Sequence, residues 1–226
     1  MDVKAVVFDL DGTLFEFNLD YKTVRAEVAQ FLIGEGVPAS ILSIKESIFE
    51  MLKKAEIYMR NNGKKEKEFF AVQKHALSIS LEHELKAARE TSPLPGVLET
   101  LKTLRKRNLK LGVFTINNKK STDYILSSFR MKSFFNAVVT REDVLRVKPD
   151  PLHLAAALKA LGVNANETVV VGDSVVDMRS ANISNAAAVG VAASDDTVGK
   201  LRHAGAAHVI KSITDLPKLI VELGGK

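Results

Sequence analysis

The sequence contains no cysteine among its 226 residues. This absence excludes disulfide bonds, thiolate metal sites and a cysteine nucleophile. No apolar run approaches the ~18 residues that cross a membrane, which excludes an integral helical membrane protein. Residues 1–4 lead directly into the apolar stretch 5–8, without the basic and long apolar segments of a secretory signal. We therefore expect a cytoplasmic protein.

The sequence also lacks a strong excess of charge of one sign. It has 32 Lys and Arg against 27 Asp and Glu, a net charge of +5. A basic balance can indicate contact with nucleic acid, but here the basic residues are dispersed and interleaved with acidic ones. We favour a solvated surface that attracts small anionic molecules, and we expect neither a nucleic-acid nor a membrane partner. A basic nucleic-acid-binding module is the rival from another class. The sequence carries no signal of oligomeric state.

Six short apolar runs are continuous rather than alternating, which is typical of strands buried on both faces of a parallel sheet. They are residues 5–8, 111–114, 137–139, 168–171, 187–191 and 208–210. Helical patterns alternate with these runs after residue 92. One of them, 152–161, has start signals in Asp150 and Pro151 and a stop signal in Gly162. We predict an α/β fold with a doubly wound, Rossmann-like parallel sheet.

The stretch 19–90 interrupts this alternation because it is helical throughout. Its predicted helices are 21–32, 40–60 and 67–88, separated by glycine-containing breaks. We predict a catalytic core formed by 1–16 and 93–226, with a helical cap domain at 17–92. In open α/β sheets the ligand site lies outside the carboxyl ends of the strands. Because the insert follows the first strand, we expect it to form a lid that selects the substrate.

Four polar clusters lie at the ends of predicted strands or just before a helix. They are Asp9-Leu10-Asp11-Gly12-Thr13-Leu14, Thr115-Ile116-Asn117-Asn118, Lys148-Pro149-Asp150-Pro151 and Gly172-Asp173-Ser174-Val175-Val176-Asp177. The carboxyl ends of parallel strands share one sheet edge, so we expect the clusters to converge there. Gathered carboxylates repel one another without a cation. Hard oxygen ligands with no His or Cys nearby indicate Mg²⁺.

With these motifs in this order, the sequence resembles the haloacid dehalogenase-like hydrolase superfamily. The matching elements are D-x-D-G-T-L after the first strand, Thr after the second, Lys-Pro after the third and G-D-S-x-x-D after the fourth. The position of the insert is similar to that in members with a helical cap after the first motif. The resemblance covers the whole chain. It implies a Mg²⁺-dependent phosphatase of small phosphorylated metabolites.

The resemblance also implies roles for the acidic residues. Asp9 is expected to be the nucleophile that forms an aspartyl-phosphate. Asp11 is expected to act as general acid and then general base. Asp9, the backbone carbonyl of Asp11, and Asp173 are the expected ligands of Mg²⁺. Asp177 is expected to support the metal or to orient Lys148.

The phosphoryl group is expected to bind Thr115, Ile116 and Lys148, which place positive charge and donors where the transition state is anionic. Ile116 departs from the family pattern, which often has a small or polar residue there, but its backbone N–H is available to phosphate. A phosphomutase would need the same motifs, so it stays open as an alternative to a phosphatase.

Several of these residues also have a purely structural interpretation. Thr13-x-x-Glu16 and Ser174-x-x-Asp177 both fit a helix capping box. Asn117 and Asn118 are typical residues of a helix start. The five histidines have no metal-ligand spacing, and we interpret each as a surface residue or a buried residue with its hydrogen bonds satisfied.

Overall fold

The computed structural model describes residues 1–16, 19–192 and 194–224. The chain divides into two compact units. The first unit comprises Met1–Phe17 and Thr91–Lys226, and the second unit is Asn18–Glu90. The second unit is thus an insertion in the sequence of the first.

The first unit contains a parallel sheet with six strands among the described residues, and a short two-stranded ladder. In chain order the strands are β1 (Ala5–Phe8), β2 (Phe15–Glu16), β3 (Ser92–Pro93), β4 (Lys110–Phe114), β5 (Ala137–Val139), β6 (Thr168–Gly172), β7 (Ala187–Val191) and β8 (His208–Ile210). The parallel sheet has the order β5-β4-β1-β6-β7-β8. The predicted doubly wound α/β fold is confirmed, and the six predicted strands agree with the observed ones to within one residue.

Strand β1 lies in the middle of the sheet, because Val7 pairs with Gly112 on one side and Val170 on the other. Every residue of β1 and β6 is buried. Burial on both faces explains why these strands are continuous apolar runs in the sequence.

The helices complete the two units. In chain order the described helices are α1 (Tyr21–Gly34), α2 (Ile48–Asn61), α3 (Glu66–Glu90), α4 (Val97–Lys106), α5 (Lys119–Ser128), α6 (Pro151–Leu161), α7 (Val175–Ile183), α8 (Asp195–His203) and α9 (Leu216–Gly224). The predicted signals of α6 are confirmed. The Asp150 carboxylate accepts the Leu152 N–H at 3.0 Å, and Gly162 ends the helix in the left-handed conformation.

The ladder of β2 and β3 was not predicted. Phe15 pairs with Pro93 and Glu16 with Ser92 in antiparallel register, so the two ends of the inserted segment meet within the first unit. Two residues per strand are too few to produce a periodic pattern. The capping-box interpretation of Thr13 is wrong, because a strand rather than a helix follows it.

The second unit is built around one apolar cluster shared by α1, α2 and α3. Its buried members include Val28, Leu32, Met51, Ala55 and Phe69. The three predicted helices exist, but the predicted start of the second, at residue 40, is wrong. Helix α2 begins at Ile48, and Ala39–Ile41 form only a short 3₁₀ turn.

A capping box explains where α2 begins. The Glu50 N–H donates to Ser47 Oγ at 3.2 Å, and the Ser47 N–H donates to Glu50 Oε2 at 2.8 Å. The two bonds satisfy backbone donors that the first turn of a helix leaves unpaired. No helix among the described residues is long and apolar enough to cross a membrane.

Ser47→Ala removes one half of this box. We expect the free energy of unfolding to fall by about 1 kcal/mol, the usual cost of losing such a cap. Urea denaturation of the whole protein measures it. Ser78→Ala is the matched control, because Ser78 is exposed on α3 and its hydroxyl only donates back to the His75 carbonyl. Equal losses in the two variants would contradict the assignment of Ser47.

Candidate active site

The loops that follow β1, β4 and β6 meet at the carboxyl edge of the parallel sheet. The Asp9 N–H donates to the Val171 carbonyl at 2.9 Å, and the Thr115 N–H donates to the Val139 carbonyl at 2.9 Å. These bonds continue the strand pairing by one residue. The backbones of Asp9 and Thr115 are therefore held by the sheet itself.

Lys148 binds two carboxylates at this edge. Its Nζ lies 2.6 Å from Asp9 Oδ1 and 2.7 Å from Asp177 Oδ1. Its side chain is only 2% exposed, and its Nζ also lies 4.2 Å from the centre of the Phe114 ring. Burial alone would lower the pKa of Lys148, but the Asp177 and Asp9 carboxylates outweigh burial and keep that pKa above its ordinary value. Lys148 is therefore a fixed cation.

Asp177 combines the two functions considered for it from the sequence. Its Oδ1 binds Lys148, while its Oδ2 accepts the Ser174 N–H at 3.1 Å and the Ser174 hydroxyl. The second set of bonds forms a capping box at the start of α7. Both carboxylate oxygens of Asp177 are thus engaged, and the helix start fixes the group that orients Lys148.

Asp9, Asp173 and Asp177 form a cluster in which one oxygen of each lies within 4.8 Å of the others. Burial raises the pKa of Asp9, against the opposing effect of Lys148. Burial, followed by the charge of Asp177, raises the pKa of Asp173 to about 6. Burial is the main cause of both shifts, and the charge of Asp177 adds to each of them against the opposing charge of Lys148.

The cluster fits a divalent metal ion. Three ionised carboxylates and one lysine leave two negative charges, which one divalent cation would neutralise. Within the described chain, Oδ2 of Asp9 and Oδ2 of Asp173 accept no hydrogen bond from another residue. These two oxygens are therefore available as ligands, whereas those of Asp177 are occupied. Oxygen donors of this kind suit Mg²⁺.

Two glycines permit the close packing of the acidic loops. Gly12 has φ +70°, and a Cβ there would lie 2.2 Å from Asp173 Oδ2. A Cβ on Gly172 would lie 2.4 Å from Cγ of Asp177. A side chain at either position would displace a carboxylate. Thr13 is buried beside Gly12, and its hydroxyl donates to Asp173 Oδ1 at 3.4 Å.

The loop after β4 presents hydrogen-bond donors. The Asn117 N–H donates to Thr115 Oγ1 at 3.1 Å. Because that bond uses the oxygen as an acceptor, the Thr115 hydroxyl proton can be donated to an anion. The Ile116 carbonyl accepts a bond of 3.3 Å from Arg141 Nη1. Asn118 caps α5 by accepting the Ser121 N–H at 2.8 Å, which confirms its interpretation as a helix-start residue.

Asn117 does not fit its helix-start interpretation. Its side-chain amide donates to Asp11 Oδ1 at 2.9 Å. Arg141 was also not identified from the sequence, although it is buried two residues after the end of β5. Asn117 and Arg141 both lie just after predicted strands, and this position is the signal in the sequence that could have identified them as residues of the site. Which side chain they contact depends on the strand order, and the sequence pattern does not contain that order.

His153 is likewise buried near the site. Its Nδ1 accepts the Lys148 N–H at 3.2 Å. Burial, with a contribution from the Lys148 charge, lowers the pKa of His153 to about 4, so its ring is neutral at pH 7. Its Nε2 is buried with no hydrogen-bond partner in the described chain. The expectation of a surface or satisfied histidine is therefore wrong for His153.

The model of the haloacid dehalogenase-like hydrolase family matches residues 6–191, and the chain belongs to that family. The pyrophosphatase PpaX of Halalkalibacterium halodurans is 28% identical over 228 residues, which cover 97% of this chain and 98% of that protein. The phosphoglycolate phosphatase of Caulobacter vibrioides is 36% identical over 137 residues, which cover 60% of this chain and 57% of that protein.

The fold is shared with solved structures of the family. A hydrolase from Pseudomonas syringae has a TM-score of 0.69 and 25% identity, over 98% of this chain and 100% of that one. The predicted class of enzyme, a phosphatase of this family, is confirmed by these matches.

The raised pKa of Asp173 predicts how pH affects stability without metal. The folded protein keeps a proton on Asp173 that the unfolded chain releases above the ordinary value of 3.8. Ionised Asp173 therefore destabilises the folded state as pH rises from about 4 to 6, and fully above 6. In EDTA, we expect Asp173→Asn to be more stable than wild type at pH 7 and equally stable near pH 4. Urea denaturation at both pH values tests it.

If the cluster holds Mg²⁺, the ion should reverse this order at pH 7, because wild type would bind it more tightly than Asp173→Asn and gain more stability. Asp123→Asn, in an exposed carboxylate on α5, is the control and should show neither effect. Lower stability of Asp173→Asn in EDTA at pH 7 would contradict the interpretation of the cluster as an incompletely compensated charge.

Proposed function

We propose that this protein is a Mg²⁺-dependent phosphatase that hydrolyses a small phosphorylated metabolite, of the phosphoglycolate or sugar-phosphate type, through an aspartyl-phosphate. The observation that carries the proposal is the position of Asp9. Its carboxylate is held at 2.6 Å by the fixed cation of Lys148, and its other oxygen faces the cluster with Asp173. A carboxylate positioned in this way suits nucleophilic attack on phosphorus.

The chemistry divides between the two aspartates of the first motif. An oxygen of Asp9 attacks phosphorus, and the bond from phosphorus to the leaving oxygen breaks. Asp11 gives its proton to that oxygen. Asp11 then takes a proton from water, whose oxygen attacks the aspartyl-phosphate and releases inorganic phosphate and the Asp9 carboxylate. Two easier displacements replace one difficult one.

Three groups bind the phosphoryl oxygens in this proposal. Lys148 supplies charge, Thr115 supplies its hydroxyl proton and Ile116 supplies its backbone N–H. They are fixed before the substrate arrives, so little reorganisation is needed in the transition state. Asp9, Asp173 and the backbone carbonyl of Asp11 would hold Mg²⁺, which neutralises negative charge on the nucleophile and the phosphate.

The names of the relatives support a small substrate. The two curated relatives described above are named for pyrophosphate and phosphoglycolate, and both compounds are small and anionic beyond the transferred phosphoryl group. Selection among such compounds is assigned here to the inserted domain of residues 17–92. In this proposal the groups of the core, Lys148, Thr115 and Ile116, contact only the phosphoryl group, which all phosphate monoesters share.

Two lysines of the inserted segment are suited to contact an anionic substrate. Lys22 and Lys53 are exposed, and neither has an ion-pair partner within the described residues. By contrast, Arg60 pairs with Glu56 and Lys64 with Glu68. A cation without an acidic partner is the better candidate to bind a substrate carboxylate or second phosphate.

Asp9→Asn tests the covalent step. We expect turnover to be abolished while the thermal unfolding midpoint stays close to that of wild type, because an amide retains the shape but is not a nucleophile. Phosphate release is measured with Mg²⁺ and with EDTA on a panel of phosphorylated metabolites and on 4-nitrophenyl phosphate. Asp123→Asn should keep full activity. Substantial Mg²⁺-dependent activity in purified Asp9→Asn protein would overturn the mechanism.

Lys22→Ala and Lys53→Ala test substrate selection. We expect one of them or both to lower kcat/KM several-fold for metabolites with a second anionic group, and to spare 4-nitrophenyl phosphate. Lys54→Ala is the matched control, because Glu46 already compensates its charge at 2.6 Å. No change in either lysine variant, or equal loss on both kinds of substrate, would argue against these two residues as selectors.

A further inference from the structure

Asn117 links the loop after β4 to the carboxylate of Asp11. Its Nδ2 donates to Asp11 Oδ1 at 2.9 Å. Asn117 is 3% exposed, whereas Asp11 is half-buried. A buried donor thus binds a carboxylate at the edge of the solvent.

The backbone of Asn117 is anchored on both sides. Its N–H donates to Thr115 Oγ1 at 3.1 Å, and its carbonyl accepts the Arg141 N–H at 3.4 Å. Arg141 also donates through Nη1 to the preceding carbonyl, that of Ile116, at 3.3 Å. Neighbouring Glu142 accepts the Lys119 N–H at 3.0 Å. The turn after β5 therefore holds the loop that presents the Asn117 amide.

We infer that Asn117 is a positioning residue for the proton transfer carried out by Asp11. The inference rests on the acid and base function proposed for Asp11. An amide N–H directed at Oδ1 fixes the plane of the carboxyl group and uses Oδ1 as an acceptor. The proton of the acid form is then placed on Oδ2. Oδ2 gives this proton to the leaving oxygen as the bond to phosphorus breaks, and later receives a proton from the attacking water.

The position of this proton predicts how the loss of the Asn117 amide affects the rates of substrates with different leaving groups. Proton donation matters most when the leaving oxygen is strongly basic. Without the Asn117 bond the carboxyl group would be held less firmly and would spend less time aligned, and a small misalignment is costly for a proton transfer. Loss of the Asn117 amide should therefore slow substrates with poor leaving groups more than those with good ones. It should leave phosphate binding by Thr115 and Lys148 unchanged.

The test uses Asn117→Ala and the milder Asn117→Ser in the full chain with Mg²⁺. The probes are aryl phosphates from 4-nitrophenyl to 4-methoxyphenyl phosphate, which differ in the basicity of the leaving oxygen. We expect kcat/KM for 4-methoxyphenyl phosphate to fall roughly 10-fold, with a much smaller loss for 4-nitrophenyl phosphate. Inhibition by inorganic phosphate should be unchanged. A uniform loss across the series in both variants would overturn the inference.

A double-mutant cycle separates this inference from the proposed function. If Asn117 acts through Asp11, Asn117→Ala should cost nothing further in an Asp11→Asn background, whereas independent effects would multiply. Ser121→Ala is the structural control, because it removes a different hydrogen bond of the same loop, the one that the Ser121 hydroxyl donates to the Asn118 carbonyl at 3.1 Å. It should leave the leaving-group dependence unchanged.

The outcomes are distinguishable. If the loss of kcat/KM in Asp11→Asn is the same for all leaving groups, the proposed acid and base function of Asp11 fails. If that loss does depend on the leaving group, but the losses caused by Asn117→Ala and Asp11→Asn multiply in the double variant, only the inference about Asn117 fails.

Discussion

The buried cation of Lys148, held between two carboxylates, is the interaction on which the site depends. A charge this deeply buried is stable only when paired, and here its partners lie at 2.6 and 2.7 Å. One partner is the proposed nucleophile Asp9, and the other is the capping residue of α7. The same lysine therefore links the end of β1 to the helix after β6. It also stays charged, as the phosphate-binding function proposed for it requires. The remaining negative charge of the cluster is what makes a divalent cation a suitable further ligand.

The parallel topology explains why these groups meet. Strand β1 lies between β4 and β6, so the loop with Asp9 and Asp11 has the Thr115 loop on one side and the Asp173 loop on the other. The loops approach so closely that a single Cβ on Gly12 would overlap the Asp173 carboxylate. The glycine of the first motif is thus required by a neighbour about 160 residues away in sequence, as well as by its own positive φ. Local backbone geometry and long-range packing impose the same residue type.

Much of this could be predicted from the sequence because the signals are local. Continuous apolar runs marked all six strands of the parallel sheet, and the motif order indicated the family and the convergence of polar loops. What could not be predicted depends on pairing across loops. The contact of Asn117 with Asp11 requires β4 to be adjacent to β1, and the two-residue ladder of β2 with β3 is too short for a pattern. The predicted start of α2 at residue 40 is wrong, because the capping box of Ser47 and Glu50 sets the boundary at Ile48.

The buried charged groups of the core also limit which substrates the core can distinguish. Lys148 is engaged by two carboxylates, and buried Arg141 binds the carbonyl of Ile116. Thr115 and the backbone N–H of Ile116 are suited to phosphoryl oxygens, a feature common to every phosphate monoester. Groups that bind a shared feature lower the barrier for all such substrates equally and do not discriminate among them. Discrimination requires contacts with the alcohol part of the substrate. Among the described residues, the insertion offers exposed cations without acidic partners in Lys22 and Lys53, and its ends meet at β2 and β3 only a few residues after Asp11. Under the proposed function, the chemistry and the choice of substrate would therefore lie in separate stretches of sequence, so that one could change without altering the other.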